Sequence, residues 1–455
     1  MSLRFSLAQL SKIIRPSLII NSVDLTNRFL TGICTDSRCL EPDQAFLALK
    51  GENFNGHDFL DVAVSKGASV IIVDKLVSVS LLKQIPQFIV ENTLEAYQEI
   101  ALWWRNQLPI PIIAVTGSVG KTTTKELIAG VLSTQGEVLK THANQNNEIG
   151  VPKTLLELEV KHDYGVIEMA MRARGEIALL TKIARPNIGV ITNVGTAHIG
   201  RLGSTEAIAQ AKCELLAQMS PEAIAILNYD NPRLIKTARA VWQGKTVTFG
   251  LEGGDVQGEL INPDKLRVDG LEFPLPLPGR HNALNYLAAL AVAKVLGIDL
   301  QPLTQGLIIN IPKGRAKTYH LEPDIVILDE TYNAGLESME AALEMLKQSP
   351  GQRHIAVLGT MKELGDYSLE FHHRVGEKVK QLGIQCLCIL ADEPATEAIA
   401  LGATGVETEI FRNHQELLNY LQGLIIPGDR LLFKASRSVQ LDRVVQDLYN
   451  QWIKY

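Results

Sequence analysis

Cysteines, long apolar runs and blocks of like charge are all scarce in this sequence, and each scarcity excludes something. Five cysteines stand among 455 residues. Cys34, Cys39, Cys213, Cys386 and Cys388 are odd in number, and none makes a Cys-x-x-Cys pair or a zinc-finger spacing, so they read as reduced thiols outside any disulfide framework. No uncharged stretch approaches the roughly 18 to 20 apolar residues that a membrane span needs. The start, MSLRFSLAQLSKII, is interrupted by Arg4 and Lys12 and carries no cleavage site, so a soluble, cytoplasmic protein without membrane insertion is expected. Lys and Arg number 44 against 50 Asp and Glu, a net charge of −6 with no long run of either sign. That balance argues against a dedicated nucleic-acid or anionic-membrane binder and leaves room for a small anionic ligand.

What is present is a chain 46% hydrophobic and 21% charged, long enough for three domains at about 150 residues each. Residues 1–108 mix short apolar runs with turn signals such as LKGENFNGHDF (49–59), and close on the helical pattern EAYQEIALWW before the Pro-rich joint LPIPI. From residue 109 to 313 apolar strands alternate with amphipathic helices: IIAV (112–115), YGVIE (164–168), IGVITN (188–193) and IAILN (224–228). Such alternation builds a mostly parallel sheet covered by helices on both faces. A helical stretch at 282–297 precedes a second joint, IPKGRAKT (311–318). Residues 314–455 repeat the alternation with IVILD, IAVLG, CLCIL and RLLFK, as expected of a Rossmann-like sheet. The fold class is therefore α/β in three domains, with a ligand cleft expected between the last two.

The strongest local signal is Thr116-Gly117-Ser118-Val119-Gly120-Lys121-Thr122-Thr123-Thr124, set between the strand IIAV and the helical TKELIAGVLS. Gly117 and Gly120 permit a tight turn whose N–H groups, with Ser118, Thr123 and the helix N-terminus, face phosphate oxygens. Lys121 would neutralise the terminal phosphates and the Thr122 hydroxyl would ligate Mg²⁺. An ordinary Gly-containing turn is the bland alternative.

Other positions are open to two readings each. Glu168 ends a strand at the edge where open α/β sheets bind ligands; it is a metal-holding carboxylate or a surface charge. His198, in NVGTAHIG, is a ligand or a packed imidazole. Lys212 lies in a helix whose apolar face is Ile208, Ala211, Leu215 and Met219, and taken alone it reads as a solvated lysine. Asn282 caps the helix 282–297 or meets the nucleotide. Arg315 is a solvated charge or a phosphate clamp. Asn144, Asn146 and Asn147 form a polar loop that turn chemistry alone would explain.

Gly117 and Gly120 enclose two residues where the usual phosphate loop has four. This shorter loop resembles that of the Mur and folylpolyglutamate synthetase superfamily of ATP-dependent amide ligases. The resemblance to the Mur ligase family runs from end to end: Thr35-Asp36-Ser37-Arg38, AFLALKGENFNGHDF, TGSVGKTTTKE, NQNNEIGVP, TNVGTAHIGRLGS, AKCE, DETYNAGLESM, GTMKELG and FKASR each resemble a family block. Three positions depart from it. Asp329-Glu330 stands where two Asp are frequent, Gly335-Leu336 follows Asn-Ala where Asn-Pro is frequent, and Thr360 stands where Asp is frequent. Asp230-Asn231-Pro232-Arg233 spells a diaminopimelate-selecting motif of one sibling ligase, but it lies in the central domain and not the third, and is discounted.

The resemblance implies a UDP-sugar-binding first domain, with Thr35, Asp36, Ser37 and Arg38 near the UDP-substrate and Ser37 and Arg38 at its diphosphate. Asn144 and Asn147 join that substrate set. In the central domain Thr122 and Glu168 would hold one Mg²⁺ and His198 would help hold a second, with Lys121 on the phosphates of ATP and Lys212 carbamylated by CO₂. Asn282, Arg315, Asp329 and Asn333 would grip the nucleotide. The implied reaction joins D-alanyl-D-alanine to a UDP-MurNAc-tripeptide through an acyl phosphate, in a monomer. A sibling ligase with another amine, and a non-catalytic ATP-binding scaffold, are the alternatives.

Overall fold

The computed structural model describes residues 3–21, 25–51, 53–77, 85–310 and 314–452. Glu52 of the LKGENFNGHDF run and residues 311–313 of the second joint lie outside the described residues, and the statements below concern those that are described.

The N-terminal part holds β1 (Phe5–Ser6), β2 (Leu18–Ile20), β3 (Phe29–Leu30), β4 (Ile33–Cys34), β5 (Ala45–Leu47), β6 (Val70–Val73) and β7 (Gln87–Ile89), with helices α1 (Leu7–Ile14), α2 (Leu60–Ser65) and α3 (Thr93–Arg105). Among the described residues its main sheet runs β2-β7-β6-β5-β4, parallel except for β2, while β1 and β3 form a separate ribbon. Ser6 and Gln9 cap the start of α1 reciprocally, and Asn92 caps α3.

The central sheet is built from β8 (Ile112–Thr116), β9 (Val138–Lys140), β10 (Tyr164–Glu168), β11 (Ile188–Ile191), β12 (Ile224–Asn228), β13 (Lys245–Gly250), β14 (Val256–Asn262), β15 (Lys265–Val268) and β16 (Leu271–Pro274). Its order among the described residues is β16-β15-β14-β13-β12-β11-β8-β10-β9, parallel from β9 to β14 and antiparallel in the last two pairings. The helices are α4 (Lys121–Leu132), α5 (Gly150–Leu156), α6 (Glu176–Ala184), α7 (Ile199–Leu202), α8 (Thr205–Gln218), α9 (Pro232–Val241) and α10 (Arg280–Leu296). β8 lies between β10 and β11, so the strand order reverses around it and opens the crevice where such sheets take ligands. The apolar runs at 112–115, 164–168, 188–193 and 224–228 become these inner strands because both their faces are covered. The antiparallel β14–β16 extension has no counterpart in the sequence expectations.

The C-terminal sheet, order β17-β18-β22-β19-β20-β21, comprises β17 (Lys317–Leu321), β18 (Ile325–Asp329), β19 (Arg353–Gly359), β20 (Cys386–Leu390), β21 (Glu407–Phe411) and β22 (Asp429–Lys434). It is parallel except for β17. Helices α11 (Leu336–Gln348), α12 (Ser368–Gln381), α13 (Ala398–Gly402), α14 (His414–Leu424) and α15 (Asp442–Trp452) cover it. Cys386 and Cys388 stand two residues apart on one face of β20, and both are buried free thiols. No described helix is long and apolar enough to cross a membrane.

The last turn of α3 fastens the N-terminal part to the central sheet. Trp104 Nε1 donates to Leu158 O at 2.9 Å. Arg105, buried, donates to Ala184 O (3.0 Å), Leu108 O (2.9 Å), Arg185 O (3.3 Å) and Asn187 Oδ1 (3.1 Å). With no carboxylate among these partners, burial pushes the guanidinium down to about 10. Arg105→Met keeps the apolar stem and strands several acceptors. It is expected to lower stability by about 2–3 kcal/mol, read as a lower urea midpoint; an unchanged midpoint would mean that water replaces the guanidinium at no cost.

Candidate active site

The C-terminal ends of β8, β10, β11 and β12 face a cleft of about 440 Å³, closed on its other side by the C-terminal part. Ser118, Gly120, Lys121, Thr122, Thr123, Glu168, His198, Asn282, Arg315 and Asn333 all line it. Gly117, Lys212 and Asp329 stand outside its lining, as do Thr35, Asp36, Ser37, Arg38, Asn144 and Asn147.

The loop from Gly117 to Gly120 is strapped to the exit of β11. Thr192 Oγ1 donates to Val119 O at 2.7 Å, Val119 N to Asn193 Oδ1 at 3.0 Å, and Ser118 N to Asn193 O at 3.1 Å. That closeness is what the two glycines permit. A Cβ on Gly117 (φ +154°) would stand 1.9 Å from Thr192 Oγ1, and one on Gly120 (φ +80°) would stand 2.5 Å from Asn285 Oδ1. The helix α4 starts on Gly120 with no side-chain cap, which leaves its first N–H groups free for an anion. Lys121 Nζ folds back on the loop and donates to Gly117 O at 2.7 Å and Ser118 O at 3.3 Å. Burial pushes its ammonium down, against the pull of Glu168, and Arg315 adds to the depression.

Glu168 is 2% exposed at the end of β10. Its Oε1 accepts from Thr122 Oγ1 at 3.1 Å and from Asn146 Nδ2 at 2.8 Å. Its Oε2 is buried without a hydrogen bond among the described residues; Lys125 Nζ lies 3.7 Å away. Lys125, fully buried, also donates to Thr141 O at 2.8 Å and pairs with Glu126 at 3.1 Å, and Glu126 pairs in turn with Lys140. An orphaned carboxylate oxygen beside a hydroxyl at the mouth of a phosphate loop fits a hard divalent cation. No described group of three or more His, Cys, Asp or Glu side chains could hold a metal by itself.

His198 starts α7 at φ +68°, and its Nδ1 lies 2.7 Å from Glu363 Oε2 of the C-terminal part. Lys212 is not the solvated lysine that the sequence alone favours. It is 1% exposed, because α8 is packed between α6 and α9 and buries more than one face. Among the described residues its ammonium has no hydrogen-bond or ion-pair partner. Burial, reinforced by the charge of Lys121, holds it well below the usual lysine range.

Asn282 does not cap α10. The helix begins two residues earlier, at Arg280, with Gly279 as its cap, and the Asn282 amide donates to Pro278 O at 2.9 Å. Asn285, one turn on, accepts from Thr124 Oγ1 at 3.1 Å and ties α10 to α4. Arg315 stacks on Tyr332, its Cζ 4.0 Å from the ring centroid. Of the pair Asp329-Glu330, Glu330 is the one at the cleft. Asp329 is turned back, accepting from Thr331 N at 3.1 Å and Thr331 Oγ1 at 2.6 Å, so it caps the turn after β18. Lys434, buried at the end of β22, donates to Asn333 O at 2.9 Å. Burial pushes the Lys434 ammonium down and the Glu330 carboxyl up, and each opposes the shift of the other. His281, also at the cleft, is held down at about 4 by burial and by Lys434.

Thr35, Asp36, Ser37 and Arg38 form the turn after β4, away from this cleft. Arg38 is exposed and pairs with Asp36 at 2.7 Å, which holds that carboxyl at about 2. Ser37 is buried and Lys153 of α5 acts weakly on Asp36, so the turn faces the central part. Asn144 is exposed, and Asn147 caps α5 through Gly150 N at 2.9 Å. In the discounted Asp230–Arg233 run, Asn231 caps α9 and Pro232 opens it, which gives those letters a structural role. Lys125, Glu126, Asn285, Glu363 and Lys434 are not among the residues that the sequence alone singles out, and Glu330 is the member of the Asp329-Glu330 pair that the cleft takes. The charged residues next to the GKT loop and inside FKASR were the available signals.

A short phosphate loop on a parallel sheet, a strand-end carboxylate beside its threonine, and a second α/β unit closing the cleft define a nucleotide-using ligase fold. Residues 30–106, 115–293 and 314–437 match, in turn, the profiles described as the Mur ligase family catalytic domain, the Mur ligase middle domain, and the Mur ligase glutamate ligase domain. The chain belongs to the Mur ligase family. It is 59% identical over 419 residues, 92% of each chain, to UDP-N-acetylmuramoyl-tripeptide–D-alanyl-D-alanine ligase of Synechocystis sp.. It is 36% identical to the Escherichia coli ligase of that name, over 97% of this chain and 98% of the other. Among solved structures it is similar to MurF from Acinetobacter baumannii (TM-score 0.89, 32% identity, 99% of both chains). MurF ligase from Thermotoga maritima in complex with ADP is also similar (TM-score 0.82, 31% identity, 93% and 98% of the chains).

Lys121→Ala is expected to lower phosphate-releasing turnover by about 100- to 1000-fold with an unchanged melting temperature, since the ammonium contacts only loop carbonyls. Near-normal turnover would remove Lys121 from the phosphate site.

Proposed function

We infer that this chain is an ATP-dependent ligase of peptidoglycan synthesis that joins D-alanyl-D-alanine to UDP-N-acetylmuramoyl-tripeptide, giving the pentapeptide, ADP and phosphate. The observation that carries this reading is the 59% identity to the Synechocystis ligase across 92% of both chains; the cleft chemistry supports it. The three working units are taken as 1–108, 109–313 and 314–455, a monomer acting in the cytoplasm. The division is supported by the separate sheets and by the matched ranges.

The tripeptide carboxylate attacks the γ-phosphorus of ATP, and the dipeptide amine then displaces phosphate from the acyl phosphate. The obstacle is bringing anions together. Lys121 leaves its loop carbonyls to meet the phosphates, and the free N–H groups at the start of α4 orient them. Thr122 and Glu168 would hold Mg²⁺, with His198 at a second ion, and when bound the metal supplies neutralisation of phosphate charge. Asn282, Arg315, Asn333 and Glu330 surround the nucleotide, with Glu330 taking the place expected of Asp329. Ser37 and Arg38 receive the diphosphate of the UDP-substrate once Arg38 releases Asp36.

Lys212 is the candidate for carbamylation. A buried amine with no counter-charge favours its neutral form, whose nitrogen can bond to CO₂ and lose one proton to solvent. The resulting anion answers the charge of Lys121, where an ammonium would be repelled.

Incubation with ATP, Mg²⁺ and UDP-MurNAc-tripeptides bearing Lys or diaminopimelate is expected to release phosphate with D-alanyl-D-alanine and not with free diaminopimelate or glutamate. Nucleotide binding without phosphate release would overturn the reading. Lys212→Ala is expected to lose most activity and regain part of it with acetate or formate; full activity without additive would exclude the carbamate.

A further inference from the structure

The central and C-terminal parts meet next to the nucleotide cleft, and one side chain there bridges two residues of the central part. Glu363, in the loop after β19, reaches His198 Nδ1 at 2.7 Å with Oε2 and Arg201 Nη2 at 3.0 Å with Oε1. Its carbonyl accepts from Gly200 N at 3.2 Å. The backbone of Glu363 stands at φ +64°, a left-handed conformation that costs a non-glycine residue energy and persists when its surroundings require it. Nearby, Gly200 and Gly365 touch backbone to backbone. A Cβ on Gly200 would stand 2.5 Å from Gly365 N, so the two parts come this close only without side chains at the contact. Thr196 adds a parallel tie, donating to Glu337 through its N–H at 2.7 Å and its hydroxyl at 3.0 Å.

His198 lines the cleft, and with Nδ1 taken by Glu363 its Nε2 is the ring nitrogen left for the cleft. An imidazole whose far nitrogen is held by a carboxylate has a fixed tautomer and ring plane, the arrangement that tunes metal-ligating histidines. Here the carboxylate comes from a different part of the chain from the imidazole. We propose that Glu363 is a positioning residue: it sets the ring of His198 toward the cleft, and does so only when the C-terminal part is docked. Docking and completion of the phosphate and metal site then become one event.

The proposal rests on the nucleotide-and-metal reading of the cleft, and the test separates the two. Mn²⁺ binding to the full chain with saturating ADP is measured by the loss of the free-ion electron paramagnetic resonance signal, alongside ADP affinity without metal and the melting temperature. Glu363→Ala is expected to weaken Mn²⁺ binding about 10-fold while metal-free ADP affinity and melting temperature stay unchanged. Gly200→Ala, which leaves Glu363, His198 and Arg201 intact but blocks the backbone contact, is expected to reproduce that loss. Glu168→Gln serves as the reference for the metal reading itself. Weakening in Glu168→Gln with none in Glu363→Ala overturns the assignment of Glu363 and leaves the cleft reading standing. Weakening in neither overturns both, and weakening in Glu363→Ala without it in Gly200→Ala overturns the link to docking.

Discussion

A carboxylate buried at the end of an inner strand has to be answered by other charges and donors, and in this chain much of the site's arrangement serves that need. Glu168 is placed by β10, the strand beside the one that feeds the phosphate loop, and its two oxygens are treated differently. One accepts from Thr122 and Asn146. The other faces Lys125 at 3.7 Å and is otherwise left bare among the described residues. Lys125 in turn requires Glu126, and Glu126 requires Lys140. A chain of alternating charges thus runs from the second turn of α4 to β9 and β10 and ties them together. The phosphate loop is therefore held by what lies beneath it as well as by the close contacts its glycines permit.

The cleft also answers a different problem, that of holding cations from both parts close together. Lys121, Arg315 and Lys434 all act on one cleft, and each is managed without full exposure to water. Lys121 rests on carbonyls, Arg315 on the face of Tyr332, and Lys434 on the Asn333 carbonyl with Glu330 nearby. A polyanion entering such a site meets donors already aimed and partly dehydrated, which is how preorganised sites gain strength over water.

The inner strands, the phosphate loop and its threonine, and the carboxylate at the end of YGVIE were legible because each is a local pattern. Strand, glycine, lysine and helix follow one another within a dozen residues, and periodicity reports burial on both faces. What was not legible depends on partners far away in sequence. Lys212 looked solvated because the apolar stripe of α8 was read as one face, whereas packing between α6 and α9 buries the lysine as well. Asp329 and Glu330 are adjacent and chemically alike; only the turn at Thr331 decides which of them faces the cleft. The start of α10 lies two residues before the one its pattern suggests, within the margin usual at helix ends, and that shift removes Asn282 from the cap. Glu363 carries no signal of its own, since its partners lie more than 160 residues away. The antiparallel extension of the central sheet escaped because its strands alternate polar and apolar residues at an edge and lack the continuous apolar runs of the inner strands.

The resting place of the Lys121 ammonium has a consequence for selectivity. Because it already donates to Gly117 O and Ser118 O, a ligand does not find a bare cation; it has to exchange with two carbonyl oxygens. A weakly charged or poorly oriented anion gains little from such an exchange, whereas a polyphosphate that also fills the N–H groups of α4 gains from every contact at once. Self-satisfaction of the loop therefore acts as a threshold: it lowers the absolute affinity for all anions and widens the gap between the right one and the rest.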